Sequence, residues 1–323
     1  MNNKLLFLVP VIFLSGCIDI PDVDFKKEMV TFVAEISQYA KSKQPSFFII
    51  PQNASGLWSE PGYLDAVDAI GQEDIYYGYE KDAEATPAEV TLELEQNLAH
   101  FTDGSKLVLT IDYPFSDRQN PSFDAQTRKR IDSAYTSSTA HGFVPYCSVR
   151  DLSWITVNPG HEPEPNAEPL TSLSDVKDFL YILQHDPDIP KQVFLDSLAS
   201  LGFDIIVMDY ASSFDGLAYT SADISSLKQK SGAILIAYMS IGEAEDYRPY
   251  WKEEWSRKSN RPDWIELENP SWPGNYLVRY WDPEWKAIIY GTDSSYLDRI
   301  ISQGFDGVYL DKVDAYEDYL DML

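Results

Sequence analysis

Apolar residues fall into two alternating rhythms along the chain. Short continuous apolar runs are separated by longer stretches whose apolar positions recur every three or four residues, the spacing of an amphipathic helix. The runs predict strands at 47–52, 69–73, 107–112, 143–149, 179–184, 205–209, 234–240 and 307–311. Such unbroken runs suit parallel strands covered on both faces. Between them, the stretch from Asp24 to Lys43 sets Phe25, Met29, Phe32, Val33 and Ile36 on one helical face. Thr86-Pro87-Ala88-Glu89 reads as a capping box with proline at the first helical position. A glycine recurs between helix and strand, at Gly142, Gly202, Gly232 and Gly304, where a left-handed helix closure is expected.

Eight strands alternating with helices predict an α/β protein, and a (β/α)8 barrel in particular. A doubly wound sheet is the alternative, but the chain carries no glycine-rich phosphate loop to support it. Residues 152–170 break the rhythm. Pro159, Pro163, Pro165 and Pro169, with Gly160, predict an extended and solvated linker. Four strands lie on either side of it, too few for either side to close a barrel alone.

Composition narrows the partners. The 323 residues carry a formal net charge of −27 and a hydrophobic fraction of 44%. That hydrophobic fraction supports a real core. The negative charge disfavours nucleic acid and anionic lipid and favours a cationic ligand. At the N-terminus, Lys4 precedes an apolar stretch too short to span a bilayer. Leu14-Ser15-Gly16-Cys17 resembles the lipobox of bacterial lipoproteins, which implies cleavage before Cys17 and lipidation of its thiol. The expected organisation is a signal peptide at 1–16, a tether at 17–23 and a single domain at 24–323. Cys147 is the other cysteine, so no intrachain disulfide is expected. The membrane would then be touched through the lipid anchor only.

Barrel chemistry gathers at C-terminal strand ends. Here these read Gln52-Asn53, Glu73-Asp74, Asp112-Tyr113, Arg150-Asp151, Gln184, Asp209-Tyr210, Glu243 with Glu245, and Asp311 with Asp314. Such a ring suits two-carboxylate chemistry as in glycoside hydrolysis, or a divalent cation, while any one carboxylate also suits a helix cap. His100, His141, His161 and His185 show no ligand spacing, so neither a zinc site nor a Ser/His/Asp triad is expected. Residues 245–290 carry Trp251, Trp255, Trp264, Trp272, Trp281 and Trp285. About half of these are expected to form a private core, and the Trp272-Pro273-Gly274-Asn275 turn to bring a ring over the barrel mouth.

Two long motifs carry a resemblance. Ala237-Tyr238-Met239-Ser240-Ile241-Gly242-Glu243-Ala244-Glu245-Asp246-Tyr247-Arg248, followed by Trp251, resembles the signature of glycoside hydrolase family 114. Gly304-Phe305-Asp306-Gly307-Val308-Tyr309-Leu310-Asp311-Lys312-Val313-Asp314-Ala315-Tyr316 is similar to that family's fourth strand. The stretches at 179–184 and 203–210 resemble its first and second strands. Ile49-Ile50-Pro51-Gln52-Asn53, the segment 70–79, the segment 107–113 and the segment 142–152 resemble the fifth to eighth. The family's strands five to eight thus come first and one to four second, a circular permutation whose old ends the 152–170 linker joins.

The resemblance implies a (β/α)8 barrel of the endo-α-1,4-polygalactosaminidase type. It implies Asp311 as nucleophile and Glu73 as general acid/base if configuration is retained. Asp209, Glu243, Asp112 and Asp314 would orient sugar hydroxyls or an amine, with Asn53, Tyr113, Tyr210, Arg150 and Trp272 as further substrate contacts. No metal and no cofactor are expected. The implied partner is an amino-sugar polysaccharide, met at a bacterial cell envelope from an outer-membrane or periplasm-facing surface. The competing reading is a surface lipoprotein that binds a glycan without cleaving it.

Overall fold

The computed structural model describes residues 23–165, 168–213 and 215–322. The stretch expected to be a signal peptide, and Cys17, lie outside the described residues. Helix α1 (Phe25–Lys43) opens on Asp24, whose carboxylate accepts the Lys27 N–H at 3.1 Å. Its buried stripe contains Phe25, Met29, Phe32, Val33 and Ile36, as the spacing predicts. Strands and helices then alternate: β1 (Phe48–Pro51), α2 (Tyr63–Ala66), β2 (Ala69–Glu73), α3 (Ala88–Asp103), β3 (Leu107–Asp112), α4 (Ala125–Ala140) and β4 (Val144–Cys147). After the proline-rich stretch come β5 (Phe179–Ile182), α5 (Lys191–Ala199), β6 (Ile205–Met208), α6 (Ser221–Ser231) and β7 (Ile234–Ser240). The chain then makes an excursion through β8 (Glu243–Glu245), β9 (Ile265–Glu268) and β10 (Asn275–Val278). It returns with α7 (Pro283–Ile289), α8 (Tyr296–Gln303), β11 (Gly307–Asp311) and α9 (Ala315–Asp321). Gly232 and Gly304 close α6 and α8 at φ of 71° and 93°, a region open to glycine at little cost.

The fold is mixed α/β with parallel sheets. One sheet runs β1-β11-β7-β6-β5 and a second β2-β3-β4, every pairing parallel. The first strand therefore pairs with the last parallel one, Phe48 opposite Gly307 through Pro51 opposite Leu310. A parallel bridge between Gln52 and Gly71 joins β1 to β2. At the other edges, the Tyr146 ring of β4 meets Phe179 of β5 with centroids 5.5 Å apart. The outer helices meet as well. Phe25 of α1 stacks on Tyr319 of α9 at 5.0 Å, and the Tyr280 hydroxyl donates to the Phe25 carbonyl.

Two expectations are corrected. Pro87 caps α3 from outside, and the Thr86 hydroxyl donates to the Asp74 carbonyl at 2.8 Å, so it is tied to the loop after β2 and forms no capping box. The described residues of the 152–170 stretch have no regular structure, but its first half is only partly solvated. Thr156 and Asn158 are buried, and the Asn158 amide donates to the Cys147 carbonyl and the Tyr135 hydroxyl. The aromatic excursion is a small antiparallel sheet, β8-β10-β9, which apolar runs alone do not announce. Within and beside it Trp255, Trp264 and Trp285 are buried edge to face or tilted, while Trp272 stays 41% exposed. Trp285 is fixed by donating its indole N–H to the Ile241 carbonyl at 2.8 Å.

Candidate active site

The C-terminal ends of the parallel strands converge on a cavity of about 640 Å³. The chain bends sharply as it leaves three of them. Asn53, Asp74 and Lys312 adopt left-handed backbone conformations, with φ of 59°, 60° and 58°. Each costs on the order of 1 kcal/mol for a residue other than glycine. Two of these residues directly follow the carboxylates Glu73 and Asp311, so the strain sits where the strand tips turn.

Asp311 ends β11. Its Oδ2 accepts the Tyr238 hydroxyl at 2.6 Å and its Oδ1 the Lys312 N–H at 2.7 Å. Withdrawal from water pushes its carboxyl up to about 7, the Tyr238 bond opposes this, and the charges of Glu73 and Asp314 add to it. Glu73 ends β2. The Tyr113 hydroxyl donates to its Oε1 and the Asn53 amide to its Oε2. The Glu73 N–H in turn donates to Asn53 Oδ1, so Asn53 holds both ends of the residue. Burial raises the Glu73 carboxyl, the Asp74 charge adds to this, and Tyr113, Arg150 and Gln52 oppose it. Two carboxyls from strands far apart in the chain thus face one cavity, each disposed to hold a proton above the usual range.

Glu243 stands beside them. It accepts the Asn269 amide at 2.8 Å and lies 3.9 Å from the Lys312 ammonium. Burial pushes it up to about 7 against the pull of Lys312 and Asn269. The same ammonium reaches Asp318 at 2.9 Å and Asp314 at 3.6 Å. Asp209 lines the cavity but is held by Arg248 at 2.8 Å. Arg248 is buried at the cavity wall. It binds Glu245 as well, and the rings of Tyr210, Tyr238, Tyr247 and Tyr296 surround it. The residues that sequence reasoning missed are this Arg248, Tyr238, Tyr181, Tyr247, Asn269 and Lys312.

Asn53, Glu73, Tyr113, Arg150, Asp209, Tyr210, Glu243, Trp272, Asp311 and Asp314 all line the cavity. Asp112 does not. Its Oδ1 accepts the Tyr76 and Tyr77 N–H groups at 2.7 and 2.8 Å, so it pins the loop after β2 and is out of reach of a ligand in the cavity. Among the described residues, no group of three or more His, Cys, Asp or Glu side chains is arranged to hold a metal ion. His100 instead stacks on Trp58 and His185 on Phe194.

Burial pushes Asp112 up to about 7 against those two N–H donors. A carboxyl raised in the folded state adds stability below its unfolded value near 4, and that stability is lost as pH rises through 7. Asp112→Asn keeps the acceptor and removes the titration. It is expected to gain on the order of 2 kcal/mol at pH 8 and nothing near pH 4. Thermal melts of both chains across that range check this, and a pH-independent difference would refute it.

Residues 161–322 match the model of glycoside-hydrolase family GH114. The chain belongs to this family. The GH114 match takes in Asp209, Glu243 and Asp311, whereas Glu73, Tyr113 and Arg150 precede it. The chain is 50% identical over 159 residues to an uncharacterized protein of Methanocaldococcus jannaschii, covering 47% of this chain and 42% of that one. It is 46% identical over 120 residues to an uncharacterized protein of Thermotoga maritima, covering 37% and 35%. It is 40% identical over 162 residues to one of Deinococcus radiodurans, covering 49% of each. The chain thus spans less than half the length of these relatives.

Proposed function

We propose that the chain is a two-carboxylate glycoside hydrolase on a single circularly permuted (β/α)8 barrel, residues 24–323. The observation that carries this is the meeting of Glu73 and Asp311 in one cavity, from opposite ends of the sequence. The strand order β5-β6-β7-β11-β1-β2-β3-β4, with the Gln52–Gly71 bridge inside it and Tyr146 against Phe179 at its ends, supports the closed and permuted reading.

Asp311 is the nucleophile and Glu73 the acid/base. The reactive form carries a proton on Glu73 and none on Asp311. Burial is the main effect that raises Asp311; with the proton on Glu73 one of the two charges that add to it is gone, and Tyr238 and the Lys312 N–H favour the ionised form. Asp311 then attacks the anomeric carbon while Glu73 protonates the leaving oxygen. Glu73 next takes a proton from the water that releases the sugar, giving retention. The Tyr247 and Trp272 rings, 62% and 41% exposed at the cavity, offer faces for sugar rings.

The substrate is an α-1,4-linked polymer of the galactosamine type. The excess of carboxylates around the cavity and the net charge of −27 favour its free amines. A lipid on Cys17 would hold the enzyme at the bacterial cell envelope. Incubation with partially deacetylated galactosaminoglycan is expected to release oligomers, and Trp272→Ala to raise KM about tenfold with a smaller change in kcat. Binding of the polymer without any oligomer release would favour the non-catalytic reading.

A further inference from the structure

Arg150 lines the cavity and was expected to touch substrate, but most of its donors are taken by the protein itself. Its Nη1 and Nη2 bind the two Asp74 oxygens at 3.0 and 2.8 Å, and Nη2 also binds the Gly78 carbonyl at 2.7 Å. Its Nε binds Asp82 at 2.8 Å. Four of the five N–H donors of a guanidinium are thereby engaged by one loop. The loop closes on it without slack. Gly78 has φ of 119°, and a Cβ there would fall 2.3 Å from Asp74 Oδ1 and 2.6 Å from Arg150 Nη2. The flat face of the same guanidinium lies 3.7 Å from the centroid of the Tyr113 ring. The backbone joins in, since Tyr113 N–H donates to the Tyr77 carbonyl and Ala83 N–H to the Tyr113 carbonyl. The hydroxyl at the far end of that ring donates to Glu73.

We propose that Arg150 is a positioning residue for the acid: by clasping the 74–84 loop and lying on the Tyr113 ring, it fixes the phenol hydroxyl against Glu73 and governs when that carboxyl gives up its proton. This rests on the reading of Glu73 as acid/base. The groups facing Glu73 are Asp74 on its own strand end, Arg150 after β4, Tyr113 after β3, Tyr181 of β5, and Tyr309 and Asp311 of β11, with neutral Gln52 and Asn53 after β1. Asp82 acts on it through Asp74. Arg150 is the one cation in this set. It opposes the Asp74 charge directly and through its hold on Tyr113.

A lysine keeps the charge but not the fork or the flat face. A simple charge effect therefore predicts no change in Arg150→Lys, and positioning predicts a change. The test is titration of the 13C-labelled Glu73 carboxyl in the full chain, assigned by its loss in Glu73→Gln. Arg150→Lys and Tyr113→Phe are each expected to move the Glu73 midpoint upward by about one pH unit. The double variant should move no further than the larger single shift. A midpoint in Arg150→Lys equal to that of the parent overturns the proposal, as does full additivity. If Arg150→Lys does not fold, an unmoved midpoint in Tyr113→Phe overturns it alone. The readout needs no substrate. Midpoints that shift in a chain that cleaves no polymer would sink the hydrolase reading and leave the clasp standing, whereas cleavage with unmoved midpoints would sink the clasp alone.

Discussion

Asp311→Asn is expected to lower kcat on the polymer by at least about a thousandfold while leaving the fold intact. The substitution is nearly isosteric. Its amide oxygen still accepts the Lys312 N–H, and the Tyr238 hydroxyl can rotate to accept from the new amide. Only the ability to ionise and attack is lost. Stability should respond in the opposite direction to activity. The Asp311 carboxyl is pushed up to about 7, so its contribution to folding fades as pH rises through that value. The asparagine chain should melt with the parent near pH 4 and above it at pH 8.

Glu73→Gln separates the two roles. It should lose about a thousandfold on polymer, whose leaving alcohol needs a proton, and far less in the first step on an aryl glycoside with a stable phenolate leaving group. Kinetics on both substrates, with near-ultraviolet circular dichroism as the fold check, decide the matter. Turnover near the parent's by Asp311→Asn, or equal losses by Glu73→Gln on both substrates, would overturn the assignment.

What could be read from the chain was whatever repeats with a period. Apolar runs, continuous in most cases, located the eight parallel strands to within a residue or two, because strands covered on both faces need such runs. Polar residues at their ends marked the cavity for the same reason, and Glu73, Asp209, Glu243 and Asp311 converge there. Asp112 was misplaced because its alternation resembles that of Glu73. Which loop N–H groups meet a strand-end carboxylate depends on the path of a loop with no period. The excursion sheet was missed because β8 is three residues long and β9 is largely exposed. The Arg248 and Arg150 clusters were invisible for a related reason. Their partners come from several strand ends, and only the folded chain brings those together.

Gly71→Ala is expected to destabilise the protein by about 3 kcal/mol, lowering the melting temperature by on the order of 10 °C. Gly71 lies within β2, opposite Leu109 of β3, with its carbonyl accepting the Asn53 N–H. A Cβ there would fall 1.7 Å from the Tyr309 hydroxyl oxygen and 2.4 Å from its Cζ. Tyr309 has little room to yield. It is fully buried on β11, and its ring packs at 5.0 Å against Tyr181 of β5. Its hydroxyl finds no hydrogen-bond partner among the described residues, so Tyr309→Phe alone should be neutral or stabilising. In the Gly71→Ala background, phenylalanine removes the closest contact but leaves the ring carbons. It should restore part of the loss, and Tyr309→Leu most of it. The expected coupling between positions 71 and 309 is therefore large, and denaturant melts of the two singles and the double measure it. That coupling bears on the proposed permuted barrel. Gly71 belongs to the half of the chain before the proline-rich stretch and Tyr309 to the half after it. One interior shared by both halves requires the two substitutions to compensate. Two independently folded halves would give strictly additive effects, and additivity would count against the permuted barrel together with the shared active site built on it.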